Sequence, residues 1–310
     1  MEEFLEQFPE SIKEAVSLAK GVEVKGDYDK ILVFGMGGSG IAGSILADYI
    51  KKMPVFVLNS YNLPEFIDRK TLAFASSYSG NTEEPLEMFR QAKERGIDSV
   101  IVTSNGKFSK KHGKKIMLPA GLPPRCSLGY QFFSILAVLQ NSGIVGRQDK
   151  YIEETVKLLD SLDKRLPEKL ANRLMDKIPV IYGSDAYSGA VYRWRTQFNE
   201  NGKAIAHSHL FPEMNHNEIN ADYRNGKFGC VFLRDRKDHP RIRKRMDITI
   251  RIIGRNAGIH NVEIRGKSLL ARLFYAVHFG DWTSYYLARL RGVDPGPVPV
   301  IEDFKKQLNR

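Results

Sequence analysis

Two short segments hold the residues of this chain that could bind an anion. Residues 35–40 read Gly-Met-Gly-Gly-Ser-Gly, and residues 76–82 read Ser-Ser-Tyr-Ser-Gly-Asn-Thr, with four serine and threonine hydroxyls. Each segment follows an apolar, strand-like run and precedes a helical pattern. Each therefore predicts a helix N-terminus, where free N–H groups and a partial positive charge favour anions. Four hydroxyls suit a compact phosphate monoester better than an extended dinucleotide, so the pattern predicts a sugar phosphate as ligand.

Other interpretations of these segments remain open. The glycines of residues 35–40 match the G-x-G-x-x-G pattern of dinucleotide sites, but such a site also needs an acid after the next strand. Residues 58–62 read Leu-Asn-Ser-Tyr-Asn, without an acid, which disfavours a dehydrogenase. The glycines could also serve a tight turn and close helix packing. Thr82 could simply cap a helix, although that leaves Ser77 and Ser79 unexplained.

Further motifs connect these segments with a known family. Gly-Gly-Ser-Gly followed by Ser-Tyr-Ser-Gly-Asn-Thr resembles the sugar isomerase (SIS) domain. With Leu-Pro-Pro-Arg at 122–125, Asn-Glu-Asn at 199–201 and Phe-Pro-Glu-Met-Asn-His-Asn-Glu at 211–218, nearly the whole chain resembles the bifunctional phosphoglucose/phosphomannose isomerases of archaea and some bacteria. The resemblance implies an α/β fold of two doubly wound SIS-type domains and a homodimer. It also implies interconversion of glucose 6-phosphate or mannose 6-phosphate with fructose 6-phosphate, without a metal or cofactor.

The same resemblance implies roles for individual residues. Glu200 becomes the base, Arg125 the neighbour of the developing oxyanion, and His216 the ring-opening residue, donated across the dimer interface. Lys305 corresponds to a C-terminal active-site lysine of the family. The adjacent Lys306 fits that position less well. The implied ligands of the substrate phosphate, all in the two segments described first, are Gly38, Ser39, Ser77, Ser79 and Thr82.

The chemistry of aldose–ketose isomerisation asks for the same residue types. One carboxylate can take a proton from the carbon beside the carbonyl and return it to the next carbon, through a cis-enediol. A fixed cation must stabilise the oxygen that gains charge, and arginine is permanently charged and planar. Histidine titrates near neutrality, so it can move the ring-oxygen proton when the closed sugar opens.

Each assignment has a plainer alternative. Glu200 could be a solvated carboxylate near a helix end, Arg125 could close a loop after two prolines, and Lys305 could be an ordinary surface lysine. Three histidines fall within residues 207–216, but no nearby cysteine or H-x-x-x-H spacing favours a metal site. A non-catalytic module that senses a phosphosugar would keep the serines without needing the base, the arginine and the histidine. An isomerase or deaminase of an amino sugar phosphate is a third candidate.

One segment departs from the family pattern. Related sequences often carry a threonine in the Asp-Pro segment before the last helix, where it is associated with space for both C2 epimers. This chain has Gly296 and Val298 there. The missing threonine could restrict turnover to glucose 6-phosphate, whereas a smaller residue could leave more room for mannose 6-phosphate. The sequence leaves the direction of this effect open.

Composition narrows the class of protein. The chain has 310 residues, 42% of them hydrophobic, and a formal net charge of +11. Its densest basic run, 234–245, is interrupted by acids and lacks interleaved aromatics, which favours a solvated helix face over nucleic-acid binding. No apolar run approaches the roughly 18 residues of a membrane span, and the acidic first residues do not fit a signal peptide. One disulfide between Cys126 and Cys230 is an alternative, but we interpret them as buried thiols of a cytoplasmic protein.

Alternating strand and helix signals must position these residues. Short apolar runs that do not alternate in polarity indicate parallel strands buried on both faces, and we predict them at 31–34, 55–58, 72–75, 99–103, 115–118, 179–183, 204–206, 228–233 and 261–264. Helices are predicted at 3–20, 41–51, 83–94, 126–140, 150–177, 187–201, 241–253, 268–290 and 302–308. Such alternation predicts two domains, 1–147 and 148–310, with ligands at the carboxyl ends of the strands.

Overall fold

Two parallel β-sheets form the framework of the protein in a computed structural model that describes residues 1–224 and 226–308. The first sheet contains β1 (Lys30–Phe34), β2 (Val55–Leu58), β3 (Thr71–Ser76), β4 (Asp98–Thr103) and β5 (Lys114–Met117), in the order β2-β1-β3-β4-β5. The second contains β6 (Ile178–Ser184), β7 (His207–Phe211), β8 (Phe228–Arg234) and β9 (Gly258–Glu263), in the order β7-β6-β8-β9. Neighbouring strands are parallel throughout both sheets. The predicted α/β fold with two parallel sheets is confirmed.

Helices cover both faces of each sheet. Those of the first half are α1 (Glu2–Glu6), α2 (Phe8–Leu18), α3 (Gly38–Tyr49), α4 (Glu83–Glu94), α5 (Gly106–Ser109) and α6 (Leu128–Asn141). Those of the second half are α7 (Asp149–Asp160), α8 (Arg165–Leu174), α9 (Ser188–Glu200), α10 (Pro240–Ile253), α11 (Leu269–Leu290) and α12 (Pro299–Leu308). Short 3-10 turns lie at Pro124–Ser127, Asp185–Tyr187, Glu213–His216 and Glu218–Asn220.

Several predicted helices differ from the structure in their number or bounds. The helix at 3–20 is two helices, because the chain turns at Gln7 and a proline occupies the first turn of α2, where its missing N–H costs nothing. The helix at 150–177 is also two helices, interrupted at residues 161–164. The last helix begins at Pro299 instead of 302, again with proline at its start. The first residues of the helix at 126–140 belong to a 3-10 turn.

The predicted strand at 204–206 is wrong. The strand lies just beyond it, at His207–Phe211. Ala204 instead bonds to the preceding helix: its N–H donates to the Phe198 carbonyl, and its own carbonyl accepts from the Asn199 side chain. These two bonds use the backbone groups that a strand at this position would need, so the chain enters the sheet three residues later.

One apolar core joins the two halves. Helices α3 and α6 from the first half share it with α9 and α11 from the second, and its members include Ile45, Trp194 and Phe274. Helices α3 and α9 pack closely, because a Cβ on Gly189 would lie 2.7 Å from the backbone nitrogen of Ile45. The predicted domain limits, 1–147 and 148–310, stay a prediction, and the last two residues of the second lie outside the described residues.

The cysteines and the apolar character of the helices bear on two predictions made from composition. Both cysteines, Cys126 and Cys230, are buried and free, which confirms the prediction of buried thiols. Among the described residues, no helix combines the length and the apolar character needed to cross a membrane.

Candidate active site

The two anion-binding segments meet at the carboxyl edge of the first sheet. β1 and β3 pair in parallel, so both segments leave the sheet side by side. Glycine is required at the contact, because a Cβ on Gly35 would lie 2.6 Å from the Ser76 carbonyl oxygen. Gly37 has φ +53°, a conformation that favours glycine, and it leads into α3. Ser39 is buried in the first turn of α3, where its N–H donates to the Met36 carbonyl at 3.1 Å and the helix N-terminus carries a partial positive charge.

Three hydroxyls converge at the start of α4. Ser77 donates to the Thr82 hydroxyl at 3.1 Å, and the Ser79 hydroxyl lies 3.5 Å from the same atom. Thr82 occupies the N-cap position, yet among the described residues its side chain makes no capping hydrogen bond. The hydroxyls thus bond to one another instead of capping the helix. This arrangement can accept an anion where α4 presents its own N–H groups.

The loop between β4 and α5 fixes the shape of the serine segment. Gly80 has φ +66°, and a Cβ there would lie 1.8 Å from the Asn105 carbonyl oxygen, so glycine alone fits. The Phe108 N–H donates to the Gly80 carbonyl at 3.0 Å. The Ser104 hydroxyl donates to the Tyr78 carbonyl at 2.7 Å. Because these bonds hold the backbone on both sides, the hydroxyls of the segment are preorganised.

Arg125 is nearly fully buried in the 3-10 turn that precedes α6. Its side chain is 3% exposed, and its Nε donates to Asn201 Oδ1 at 2.6 Å. Its Nη2 donates to the carbonyls of Pro295 and, at 2.7 Å, Gly296. The remaining nitrogen, Nη1, lies 3.9 Å from Glu200 Oε2. Protein contacts therefore hold the rest of the guanidinium and leave Nη1 directed at the carboxylate.

The Arg125 turn touches the first anion-binding segment. A Cβ on Gly38 would lie 3.3 Å from the Pro124 carbonyl oxygen and 3.5 Å from Arg125 Cα. A buried chain of hydrogen bonds links the same turn to the second anion-binding segment, since Ser76 donates to Gln131 at 2.7 Å and Gln131 donates to Ser127 at 2.5 Å. The predicted phosphate site and the predicted oxyanion neighbour thus lie against each other.

Glu200 is the last residue of α9, and its side chain is 26% exposed. The next residue, Asn201, is fully buried and donates to the Ser284 hydroxyl of α11 at 2.9 Å. That bond fixes the side-chain amide of Asn201, whose oxygen accepts the hydrogen bond from Arg125 Nε. Carboxylate and guanidinium therefore come from elements that are anchored to each other.

A buried ion pair supports the Arg125 backbone. Arg193 of α9 binds both oxygens of Asp281 in α11 at 2.8 Å and donates to the Arg125 carbonyl at 2.9 Å. Both side chains are 1% exposed. Burial raises the pKa of the Asp281 carboxyl, and the guanidinium of Arg193 opposes that rise. Sequence reasoning missed this pair, although an aspartate inside the apolar helix α11 was a signal for it.

The structure leaves two predicted residues outside this constellation. His216 ends a 3-10 turn and is exposed, and within the described part of the chain it makes no hydrogen bond to Arg125 or Glu200. Lys305 is exposed on α12. One chain therefore brings together the phosphate segments, the arginine and the glutamate, and places the histidine and the lysine on its surface.

The histidine-rich segment has other partners. His209 Nδ1 lies 2.7 Å from Glu218 Oε2, and that glutamate also accepts from the Tyr182 hydroxyl at 2.6 Å. Over residues 1–224 and 226–308, no group of three His, Cys, Asp or Glu side chains could hold a metal ion.

Comparison with known proteins finds similar domains in both halves of the chain and relatives that match nearly its full length. Residues 27–120 match the family model described as SIS domain, and residues 163–308 match the bacterial phospho-glucose isomerase C-terminal SIS domain. The bifunctional phosphoglucose/phosphomannose isomerase of Thermoplasma volcanium is 42% identical over 305 residues, which cover 96% of this chain and 97% of the relative. That of Aquifex aeolicus is 40% identical, and the match covers 91% of each chain.

A solved structure shows the same architecture. The C-terminal domain of glucosamine-fructose-6-phosphate aminotransferase from Francisella tularensis matches with a TM-score of 0.74, over 95% of this chain and 97% of that chain. Sequence identity is 15%, so this likeness shows the fold alone.

Proposed function

Since this chain belongs to the family of bifunctional phosphoglucose/phosphomannose isomerases, we propose that it interconverts glucose 6-phosphate and mannose 6-phosphate with fructose 6-phosphate. The resemblance seen in the sequence motifs is thereby confirmed, and the chain is an aldose–ketose isomerase. One observation carries the assignment of the site: Glu200 lies 3.9 Å from the buried Arg125 guanidinium, whose turn contacts the hydroxyl-lined edge of the sheet.

The phosphate anchors the substrate in this proposal. Its oxygens accept hydrogen bonds from the hydroxyls that converge at the start of α4 and from the N–H groups at the start of α3. The proposed ligands are Gly38, Ser39, Ser77, Ser79 and Thr82. Support comes from their position at two helix N-termini on one edge of the sheet.

Proton transfer occurs at the other end of the sugar. Glu200 takes the C2 proton of the open-chain aldose, the C–H electrons form the C1–C2 double bond, and O1 gains the negative charge. Arg125 Nη1 stabilises that oxygen, since the other donors of the guanidinium are held by Asn201 and by the carbonyls of Pro295 and Gly296. A proton passes from the O2 hydroxyl to O1, the electrons on O2 form the C2 carbonyl, and the C1–C2 double-bond electrons take the proton back from the carboxyl at C1, which yields the ketose. The reverse sequence begins at C1 of fructose 6-phosphate.

Ring opening needs a group that can move the ring-oxygen proton, and within the described residues His216 makes no hydrogen bond to Arg125 or Glu200. We assign ring opening to His216, donated by a second copy of the chain in a homodimer. Its exposure in the single chain supports this assignment, because an exposed histidine is available to a neighbouring subunit. Lys305, also exposed, completes the proposed set. A cytoplasmic location is part of the proposal and accords with two free cysteines.

A coupled assay on purified protein tests the proposed function. Glucose 6-phosphate and mannose 6-phosphate are supplied separately in the presence of EDTA, and fructose 6-phosphate is detected. Turnover of both sugars is expected, and it would show that Gly296 and Val298 admit both C2 epimers. Turnover of glucose 6-phosphate alone would contradict the dual specificity. No turnover by protein that still binds fructose 6-phosphate would favour the phosphosugar sensor, and turnover of amino sugar phosphates alone would favour the third candidate.

A further inference from the structure

Lys203, to which the sequence assigned no role, joins two parts of the candidate site. It follows α9 by three residues, and its ammonium donates to the backbone carbonyl of Glu200. The same ammonium donates to the Pro297 carbonyl at 2.7 Å. A single cation thus connects the C-terminal end of the helix that carries the base with the segment before α12. Cations are favoured at such helix ends, where carbonyls lack intrahelical partners.

The backbone of Lys203 is unusual. Its φ is +50°, and among the described residues it is the one non-glycine with a positive φ. Side chains with a Cβ rarely adopt this conformation, and strained positions persist where surrounding contacts hold them. The two bonds of the ammonium are contacts of that kind. The strain indicates that something other than local backbone preference places a lysine here.

Segment 294–298 depends on cations for its position. Pro295 and Pro297 have no N–H to donate, so at these two residues the backbone cannot donate a hydrogen bond to hold the segment. Three successive carbonyls instead accept from charged side chains: those of Pro295 and Gly296 from Arg125, and that of Pro297 from Lys203. If the lysine bond were lost, the segment would keep its bonds to Arg125, the bond from the Gly296 N–H to the Asp294 carboxylate within the segment, and the bond from the Glu302 N–H to the Val298 carbonyl.

The charges around Lys203 fit this arrangement. Partial burial and the charge of Arg125 lower the pKa of the ammonium, while Asp294 and Glu200 oppose that effect. The lysine therefore lies in the electrostatic field of the proposed catalytic pair.

We propose that Lys203 is a positioning residue that holds segment 294–298 against Arg125 and thereby keeps Nη1 directed at Glu200. The consequence for catalysis rests on the proposed function, but the tether itself is a property of the folded chain. Misplacement of catalytic groups by about 1 Å can cost on the order of 100-fold in rate, so loss of the tether should lower turnover.

Lys203→Asn is the informative variant. Asparagine tolerates the left-handed conformation but is too short to reach Pro297. We expect kcat to fall about 10- to 100-fold with KM within about threefold, while the midpoint of thermal unfolding stays within about 2 °C of wild type. Lys203→Arg, which keeps a long cationic side chain, should restore most of the activity. Lys52→Asn, at an exposed lysine, is the matched control and should resemble wild type.

Hydrogen exchange separates this proposal from the proposed function. The amides of Gly296 and Val298 should exchange faster in Lys203→Asn than in wild type, whether or not the protein turns over a sugar phosphate. Unchanged exchange there would overturn the tether. If exchange is faster and the wild-type protein is active, a kcat of Lys203→Asn within twofold of wild type would overturn the positioning role. Equal loss of activity in Lys203→Asn and Lys203→Arg would also overturn it.

Discussion

At the scale of residues, the site depends on which partner each nitrogen of the Arg125 guanidinium contacts. Nε and Nη2 are held by Asn201, Pro295 and Gly296, and Nη1 faces Glu200. A planar guanidinium can serve three directions at once, whereas a lysine ammonium is a single point of charge on a flexible stem. The geometry therefore explains why arginine, and not merely a cation, occupies this position.

Arg125→Lys tests that arrangement. We expect kcat to fall about 10²–10³-fold, the usual cost of losing a preorganised donor at a developing oxyanion, because one ammonium cannot replace the contacts on all sides. KM should change much less, since the phosphate remains anchored. Steady-state kinetics in both directions provide the measurement, with the exposed Arg147→Lys as control. A kcat within threefold of wild type would contradict the assigned role.

The sequence identified the residues that face the substrate but not those that hold them. Glu200, Arg125 and the serines stand in motifs whose residue types match the chemistry, so they could be predicted. Arg193 and Asp281 act through the backbone of Arg125, and Asn201 acts through its side chain. Their roles depend on contacts across about 70 to 90 positions of sequence, which periodicity and motif spacing do not encode.

At the scale of elements, Asp48 links the two helices that end or begin at the site. It lies on α3 and accepts from the Ser188 hydroxyl and the Gly189 N–H at the start of α9, both at 2.7 Å. Through this contact, the helix that begins at the phosphate segment holds the helix that ends at Glu200. Burial raises the pKa of Asp48 to about 6, against the hydrogen bonds from α9 and the charge of Lys51.

Asp48→Asn should change how stability depends on pH. The folded protein binds the Asp48 proton more tightly than the unfolded chain does, so this group stabilises the fold below about pH 4 and loses that contribution as pH rises through about 6. Asparagine does not titrate and can still accept from Gly189. The free energy of unfolding of wild type minus that of the variant should therefore fall by about 2–3 kcal/mol between pH 4 and 7.

Denaturant titrations at several pH values measure that difference. Asp27→Asn, at an exposed aspartate, is the control and should show no such trend. A difference that stays constant from pH 4 to 7 would show that Asp48 does not titrate as its burial implies.

Most elements could be predicted because their apolar runs are local signals. β2 and α4 begin and end where the pattern predicts. The error at 204–206 has a different origin: the Asn199 side chain takes the Ala204 carbonyl before the strand begins. Hydrophobic periodicity does not show where a side chain competes for a backbone group. The start of β7 could therefore not be predicted from the sequence.

At the scale of the whole molecule, the proposal needs two copies of the chain. The described chain assembles the phosphate segments, Arg125 and Glu200, but His216 is exposed and makes no hydrogen bond to that pair. The sequence predicted the fold of each half from its βα alternation. It could not predict that one apolar core would unite them, because that depends on which helix faces meet.

Mixed dimers test whether His216 acts across the interface. If each site combines Glu200 of one subunit with His216 of the other, a dimer of Glu200→Gln and His216→Ala chains contains one intact site. Random exchange of equal amounts should then restore about a quarter of wild-type activity in a closed two-fold dimer. The two inactive variants are mixed, exchanged under mild denaturation and assayed. No recovery in mixtures that demonstrably contain mixed dimers would place the histidine in its own subunit's site.

Turnover by Glu200→Gln is the most direct test of the account, because the whole assignment depends on one carboxylate moving the proton. The variant keeps the shape of the side chain and removes the base, so kcat should fall about 10²–10⁴-fold. Fructose 6-phosphate binding, measured by calorimetry, should stay within a few-fold of wild type, and the exposed Glu213→Gln should behave as wild type. Near-normal turnover by Glu200→Gln would contradict the account and require another base.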